Sequence, residues 1–317
     1  MDAGGNELAA PAVGSPIGLI QRLWNAPYLL VMLTCFFWAT HTIVARSMRD
    51  LPPYGLSFWR WLFDVCLLLP FTWKYLAADW RRLLAAWPMM LVYGAFGVTL
   101  FNVLLYLGLH YTTAVNAAII QGNSPLFTLF WSFLFFRDKP SRLQAIGMVF
   151  AVVGVIVVAS QGSLALLLHL HFNPGDLVVM CSSATYALYT ALLRKRPQVH
   201  PMSFLTATVM IGAALLLPAW LIETGQGRPF PVTALSLTTV IYTGIAPGLL
   251  GYLFYNRGVE LIGANRAAPF NYTVPVMSAA MAVLLLGEQP QPYHLMGGAL
   301  IIVGVVLTTR KPKPLPT

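Results

Sequence analysis

Charged side chains are scarce in this chain. Only 9% of its 317 residues are Asp, Glu, Lys or Arg, while 58% are hydrophobic; an ordinary soluble domain carries roughly 25% charged residues. That shortage argues against a solvated surface. Acidic residues are the rarest, ten in all, and no apolar block holds the series of acids that a proton relay uses. Asp64 and His41 are the midspan groups that could carry a proton. The three cysteines, Cys35, Cys66 and Cys181, lie within apolar segments. An odd number so placed argues against a disulfide framework, and they read as small packing residues. Metal-ligand spacing is lacking as well: His169 and His171 have no Cys or acid cluster beside them. Without a nucleophile–base pair or a metal set, the chain does not read as an enzyme, and no cofactor is expected.

What the chain has instead is long apolar runs. A spanning helix needs about 20 apolar residues. Ten such blocks can be read, at 27–48, 54–74, 85–108, 113–136, 141–160, 174–194, 201–222, 233–256, 264–286 and 291–309. The expected fold class is therefore an all-α membrane protein of ten transmembrane helices, with the lipid bilayer as its first partner. Residues 1–26 are rich in Gly, Ala and Pro, show no periodicity and are expected to be disordered. They do not read as a signal peptide, because the first apolar block starts late and is long enough to span.

A net charge of +9 would suggest nucleic acid for a soluble chain. Here its distribution matters more. Of the nineteen Lys and Arg, only Arg46, Arg49 and Arg228 fall on the second side of the ten-span arrangement, and Arg60 falls inside a span. Lys and Arg at span ends stay cytoplasmic. The side with the excess holds both termini, so both are expected in the cytoplasm, and no nucleic-acid partner is expected.

The chain is also written twice. Ala114 to Gly154 matches Ala264 to Gly304 with a shift of 150. Pro125 then falls on Pro275, Pro140 on Pro290, Gly147 on Gly297, Gly154 on Gly304 and Asp138 on Glu288. Upstream, a shift of 146 places Cys35 on Cys181 and Ser57-Phe58 on Ser203-Phe204. An internal repeat determines architecture before any single motif does. The expected layout is a first five-helix repeat over 27–160, an external loop over 161–173, a second repeat over 174–309 and a basic cytoplasmic tail over 310–317. Because five is odd, the second repeat enters the membrane in the opposite sense. Inverted repeats around a central midplane site are a design of secondary transporters.

Polar residues inside the spans are candidates for that site. Trp38 with His41 in span 1, and Tyr186 with Tyr189 in span 6, are three apart and share helix faces. Packing between helices accounts for any one of these rings as readily as substrate contact. Asn102 and Tyr106 in span 3 match Tyr252 and Asn256 in span 8 in swapped order. Amides in hydrocarbon face the bundle interior or a water-filled cavity; simple interhelical bonding is the alternative. Pro125 and Pro275 kink spans 4 and 9 and free the carbonyls of Gln121 and Asn271, with Asn123 a further amide beside the first. Arg60 and Asp64, four apart, are expected to pair along one helix face. In spans 5 and 10, Gly147/Gly154 and Gly297/Gly304 suit close helix packing, or a dimer surface.

These residues resemble the EamA family of the drug/metabolite transporter superfamily. In the first half the likeness rests on Trp38-Ala39, Arg60 after Pro52-Pro53, the run Gly108 to Ala114, Ser124-Pro125, and Gly147 with Gly154. In the second it rests on Tyr186-Ala187-Leu188-Tyr189, Gly263-Ala264, Val274-Pro275, Leu286-Gly287-Glu288, and Gly297 with Gly304. Arg137-Asp138 departs from the Gly-Glu pair usual at the end of span 4, although the acid remains. The resemblance implies a five-plus-five inverted repeat, a central cavity and export of small metabolites. The chain looks most like the aromatic amino-acid exporters of the inner membrane. The expectation is a monomeric or homodimeric secondary transporter that exports an amino acid, aromatic or neutral, by alternating access. Another organic solute, a membrane-embedded enzyme or a structural subunit are the alternatives.

Overall fold

The computed structural model describes residues 21–46, 51–109, 111–112, 114–169, 173–286, 289 and 291–309. The first twenty residues, Arg49, His110, Thr113, His171, Gly287, Glu288, Pro290 and the tail over 310–317 lie outside them, so the expectations resting on those residues do too. Among the described residues all regular structure is helical. We name the long helices α1 (Pro27–Arg46), α2 (Pro53–Ala85), α3 (Trp87–Leu109), α4 (Ala114–Gly122 and Ser124–Phe136), α5 (Arg142–Ala159), α6 (Pro174–Lys195), α7 (Pro201–Gly225), α8 (Ala234–Ile262), α9 (Ala264–Leu285) and α10 (Pro292–Thr309). Only helices and closed barrels satisfy every backbone group within lipid, so runs of this hydropathy fold as rods. Local chemistry sets where the rods begin. Proline stands in the first turn of α2, α6 and α7, where its missing N–H costs nothing. Reciprocal capping boxes start α5 (Ser141 with Gln144) and α6 (Asn173 with Asp176).

Eight of these helices are long and apolar enough to cross a membrane, and the two halves of α4, bent by 41°, make a ninth if taken as one span. The apolar part of α1, Pro27–His41, is shorter. Large apolar side chains point outward: Phe71, Leu284 and Leu295 are 75%, 79% and 76% exposed, as a lipid-facing surface requires. With 33 residues, α2 is about 50 Å long, more than the roughly 30 Å of hydrocarbon. Its last turns carry exposed Trp80 and the base Arg82.

Helices α5 and α10 pack antiparallel about a pseudo-two-fold axis. A Cβ on Gly147 of α5 would lie 2.6 Å from the Gly304 carbonyl of α10, and one on Gly304 would lie 2.5 Å from the Gly147 carbonyl. Gly154 and Gly297 meet in the same way, at 2.7 and 2.9 Å. Under the shift of 150 the first contact maps onto the second, which only an antiparallel two-fold arrangement allows. Helices α2 and α7 run antiparallel too. The Gly55 amide donates to Glu223 Oε2 (2.7 Å) at one end, Thr206 donates to Thr72 (3.1 Å) midway, and the His200 amide donates to Asp79 Oδ2 (2.8 Å) at the other end.

The ends of the bundle differ. One, the basic end, gathers Arg82 on the Gln198 carbonyl, Arg194 with Asp138, Arg196 with Glu260, and Arg257 on the Trp24 carbonyl. At the opposite end Asp176 accepts from Thr112 and from Asn116.

Candidate functional site

The interior is built on two broken helices. In α3 the segment Ala95–Leu100, and in α8 the segment Gly244–Leu250, are wound as π-helix. They occupy matching positions of the repeat. A π turn slips the backbone ladder and commonly marks a functional site. Two carbonyls in these turns are held by aromatic side chains from other helices. Tyr252 donates its hydroxyl to the Gly97 carbonyl at 2.5 Å, and Trp38 donates its indole N–H to the Pro247 carbonyl at 3.2 Å. Gly97 and Pro247 are counterparts under the shift of 150.

Around these bonds lies an aromatic cluster. The Tyr186 ring is 5.6 Å from Trp38, 5.7 Å from Tyr189, 6.1 Å from Tyr252 and 6.1 Å from Tyr255. Trp61 stands edge-on to Tyr252 at 5.1 Å. Such tilted and edge-to-face contacts are the preferred aromatic geometries. The Tyr186 hydroxyl is buried and finds no hydrogen-bond partner among the described residues. Buried polar atoms of this kind are uncommon and call for an explanation. Tyr189, fully buried, donates to Asn256 Oδ1 at 2.7 Å.

Asn256 connects the cluster to a cavity of about 410 Å³ at the basic end. Its wall comprises Ser132, Asp138, Arg194, Arg196, Gln198, Glu260 and Asn265 with the apolar Phe136, Leu193 and Val259. Two ion pairs stand on this wall, Arg194–Asp138 at 3.2 Å and Arg196–Glu260 at 2.8 Å. The first is largely exposed and adds little stability. The volume lies within the range of about 300–1,000 Å³ usual for small-molecule pockets.

The candidates from the sequence fall into three groups. Trp38, Tyr186, Tyr189 and Tyr252 meet in the cluster, and Asn256 borders both cluster and cavity. Asn102, Asn123 and Asn271 serve backbone or neighbours: Asn102 donates to the Val98 carbonyl (2.6 Å), Asn123 donates to the Ile119 carbonyl (2.7 Å), and Asn271 accepts a weak contact from Cys35 (3.9 Å). The Tyr106 ring lies 6.5 Å from Tyr54 near the start of α2; His41 and Gln121 are half-buried on α1 and α4. Of the four span-3 and span-8 residues, Asn256 lines the cavity described above. Pro125 is buried in the first turn of the second half of α4, directly after the break at Asn123. Pro275 follows a tight 3₁₀ stretch, Ala268–Tyr272, in α9.

One expectation is corrected. Arg60 and Asp64 do not pair along α2. Arg60 instead donates to Asn102 Oδ1 on α3 at 3.1 Å and lies 4.8 Å from the Trp61 ring centre. Neither oxygen of Asp64 has a hydrogen-bond partner among the described residues. Tertiary packing offers the guanidinium a neutral amide, which the pattern within one helix cannot reveal.

Some site residues were not anticipated. Tyr255 is three from Tyr252 and shares its face, the same signal as Tyr186 and Tyr189. Asp138, Arg194, Arg196 and Glu260 carry charge at helix ends, which reads from sequence as topology.

The comparisons agree with this architecture. A crystal structure aligns with a TM-score of 0.73 over 90% of this chain and 96% of that one, at 18% identity, and so shares the fold. The uncharacterized transporter YyaM of Bacillus subtilis is 28% identical over 291 residues, spanning 89% of this chain and 92% of that protein. An uncharacterized transporter of Archaeoglobus fulgidus is 28% identical over 290 residues, 90% of this chain and 97% of its own. A protein of Streptantibioticus cattleyicolor named a probable terminal-alkyne amino-acid exporter is 26% identical over 228 residues, 71% of this chain and 73% of that one. The EamA-like transporter family matches twice, over residues 25–160 and 173–310. Two matches that divide the chain as the two-fold axis does, and together cover most of it, establish that this protein belongs to the EamA-like transporter family.

Proposed function

We propose that the protein exports amino acids with aromatic or neutral side chains across the inner membrane, as a secondary transporter of ten spans working by alternating access. The observation that carries this reading is the polar cavity whose floor, Asn256, is hydrogen-bonded to the buried tyrosine cluster. A zwitterion needs both signs of charge close together, and the cavity wall presents Arg194 and Arg196 beside Asp138 and Glu260. An apolar or aromatic side chain needs rings to pack on, and Tyr186, Tyr189, Tyr252, Tyr255 and Trp38 lie directly beneath. One relative bears the name of a probable terminal-alkyne amino-acid exporter, which supports the substrate class.

In this reading the cavity is the cytoplasmic vestibule, with both termini in the cytoplasm. Substrate enters among the ion pairs, displaces Asn256 from Tyr189 and inserts its side chain among the tyrosines at the level of the π turns. At the opposite end Glu223 accepts from the Gly55 amide and Asp176 bonds with Thr112, Asn116 and Asn173; in this reading these contacts hold that end shut. Opening that end while the basic end closes completes the cycle. A pair of inverted repeats can adopt both forms through mirrored changes, and substrate shifts the balance only through its different affinities for the two. Counterflow of labelled amino acids in proteoliposomes tests the proposal. Phenylalanine, tryptophan, tyrosine and leucine are expected to exchange. Exchange of none of them, with another solute class moving, would replace the substrate assignment.

A further inference from the structure

Asp64 has no part in the proposed substrate path, and its surroundings are unusual for a carboxyl group. It is fully buried, on α2. Neither oxygen receives a hydrogen bond among the described residues. It packs against the π-wound turn of α8: a Cβ on Gly244 would lie 2.7 Å from Oδ1, and a Cβ on Gly248 would lie 2.6 Å from Oδ2. Any side chain at either glycine would collide with the carboxyl, so the broken turn makes room for it. The matching turn of α3 carries Gly94 and Val98, which pack against Ile211 and Gly212 of α7. The carboxyl is therefore a departure from the symmetry, present in one half only.

A buried carboxylate kept for stability is surrounded by donors or an ion-pair partner. Among the described residues Asp64 has neither in this conformation. Among the described residues the charged group acting on it is Arg60, one turn earlier on the same helix, and Arg60 is engaged by Asn102 of α3. Among the described residues the other titratable groups that face this pair are Tyr252 on α8 and His41 on α1. The α8 surface in contact with the carboxyl is glycine backbone. Two states are tenable for such a group. It can be neutral, carrying a proton, with Arg60 held by Asn102 as in this conformation. Or it can be ionised, if Arg60 leaves Asn102 and turns to it. The π turn of α8, the Arg60–Asn102 bond and Asp64 are contiguous, so in the cytoplasm-open form a swing of Arg60 from Asn102 to Asp64 ionises the carboxyl on that side.

We propose that Asp64 is the proton-carrying residue of this transporter: it binds one proton from the external side and releases it to the cytoplasm in each cycle that moves one solute molecule outward. The proton is bound as Arg60 turns to Asn102 and released as Arg60 returns to Asp64, so the pair carries one positive charge with the proton bound and none after release, and one charge moves inward per cycle. This rests on the export reading above, but the protonation itself can be read without any substrate.

The test uses the full-length protein and Asp64→Asn. First, infrared difference spectra are recorded between acid and alkaline pH for protein in lipid. The wild type is expected to show the carbonyl stretch of a protonated buried carboxyl that vanishes on alkalinisation, and Asp64→Asn is expected to lack it. An identical band in both proteins overturns the proposal. Should the asparagine variant not reconstitute, Asp64→Glu is expected to shift the band, and an unshifted band has the same adverse meaning. Second, proteoliposomes with an acidic lumen are given labelled phenylalanine outside. Wild-type vesicles are expected to accumulate it as protons leave, while Asp64→Asn keeps phenylalanine–phenylalanine exchange but loses accumulation down to the level of protein-free vesicles. Accumulation by Asp64→Asn equal to wild type overturns the proposal, as does accumulation that follows a sodium gradient and ignores the pH gradient. If wild-type protein does not move phenylalanine at all, the amino-acid assignment fails, and the infrared comparison still decides the role of Asp64.

Discussion

The Tyr189 hydroxyl donates to Asn256 Oδ1 at 2.7 Å, and this one bond joins the buried aromatic cluster to the cavity at the basic end. It links α6 to α8, two helices of the second half of the chain. An incoming polar group reaches Asn256 before it reaches any tyrosine. Removing the bond is expected to cost little stability, because interhelical hydrogen bonds in membranes average about 0.6 kcal/mol. Tyr189→Phe should therefore unfold near the wild-type temperature while its counterflow of aromatic amino acids weakens several-fold. Asn256→Ala should show the same separation more strongly. Unchanged counterflow kinetics in both variants would assign these residues to packing alone.

The glycine contacts of α5 and α10 predict the reverse pattern. A Cβ on Gly304 would meet the Gly147 carbonyl at 2.5 Å and the Ala151 amide at 2.6 Å, which are backbone atoms with nowhere to move. Gly304→Ala should lose about 1–3 kcal/mol, the usual cost of overpacking, visible as a lower unfolding transition in detergent. Gly225→Ala is the control, since nothing lies within 4 Å of its Cβ position. A Gly304→Ala protein as stable as the control would refute the two-fold packing.

Topology can be read by labelling. Asp79 looks suitable from its place near a predicted loop, yet it is buried and accepts from the His200 amide at 2.8 Å. Ala85, exposed at the end of α2, and Gln226, exposed after α7, are better sites. In a background without Cys35, Cys66 and Cys181, Ala85→Cys is expected to react from the cytoplasmic side and Gln226→Cys from the outside. Reaction of both from one side would exclude the antiparallel halves as membrane spans.

The two prolines predict opposite effects. Pro125 follows the break in α4 and Pro275 follows the tight stretch in α9, at matching positions of inverted repeats. Pro125→Ala and Pro275→Ala each restore a backbone donor and let one helix straighten. If each break serves opening toward one side, the substitutions should bias access in opposite directions, and about 1.4 kcal/mol would change the ratio of states tenfold. Accessibility of a cysteine at Ala264, on the cavity wall, reads this. Movement in the same direction in both variants would leave the prolines as structural kinks.

Much of this protein could be read before its fold was known. Hydropathy is a property of consecutive residues, so the apolar rods, their basic ends and the doubled pattern of Pro125/Pro275 and Gly147/Gly297 are written locally. The inversion follows by counting. The stripe of Tyr186 and Tyr189 was legible because a helix puts residues three apart on one face, and Tyr255 carried the same signal beside Tyr252. What the sequence did not determine was which groups meet across helices. The π turns arise where the ladder slips under packing from neighbours, and their counterpart carbonyls, Gly97 and Pro247, are satisfied by Tyr252 and Trp38, each from another helix. Arg60 and Asp64, four apart, looked like partners. Tertiary packing brought Asn102 to the guanidinium from 42 residues away and left the carboxyl against two glycines of α8, because helix contacts bring together residues whose separation along the chain carries no local trace.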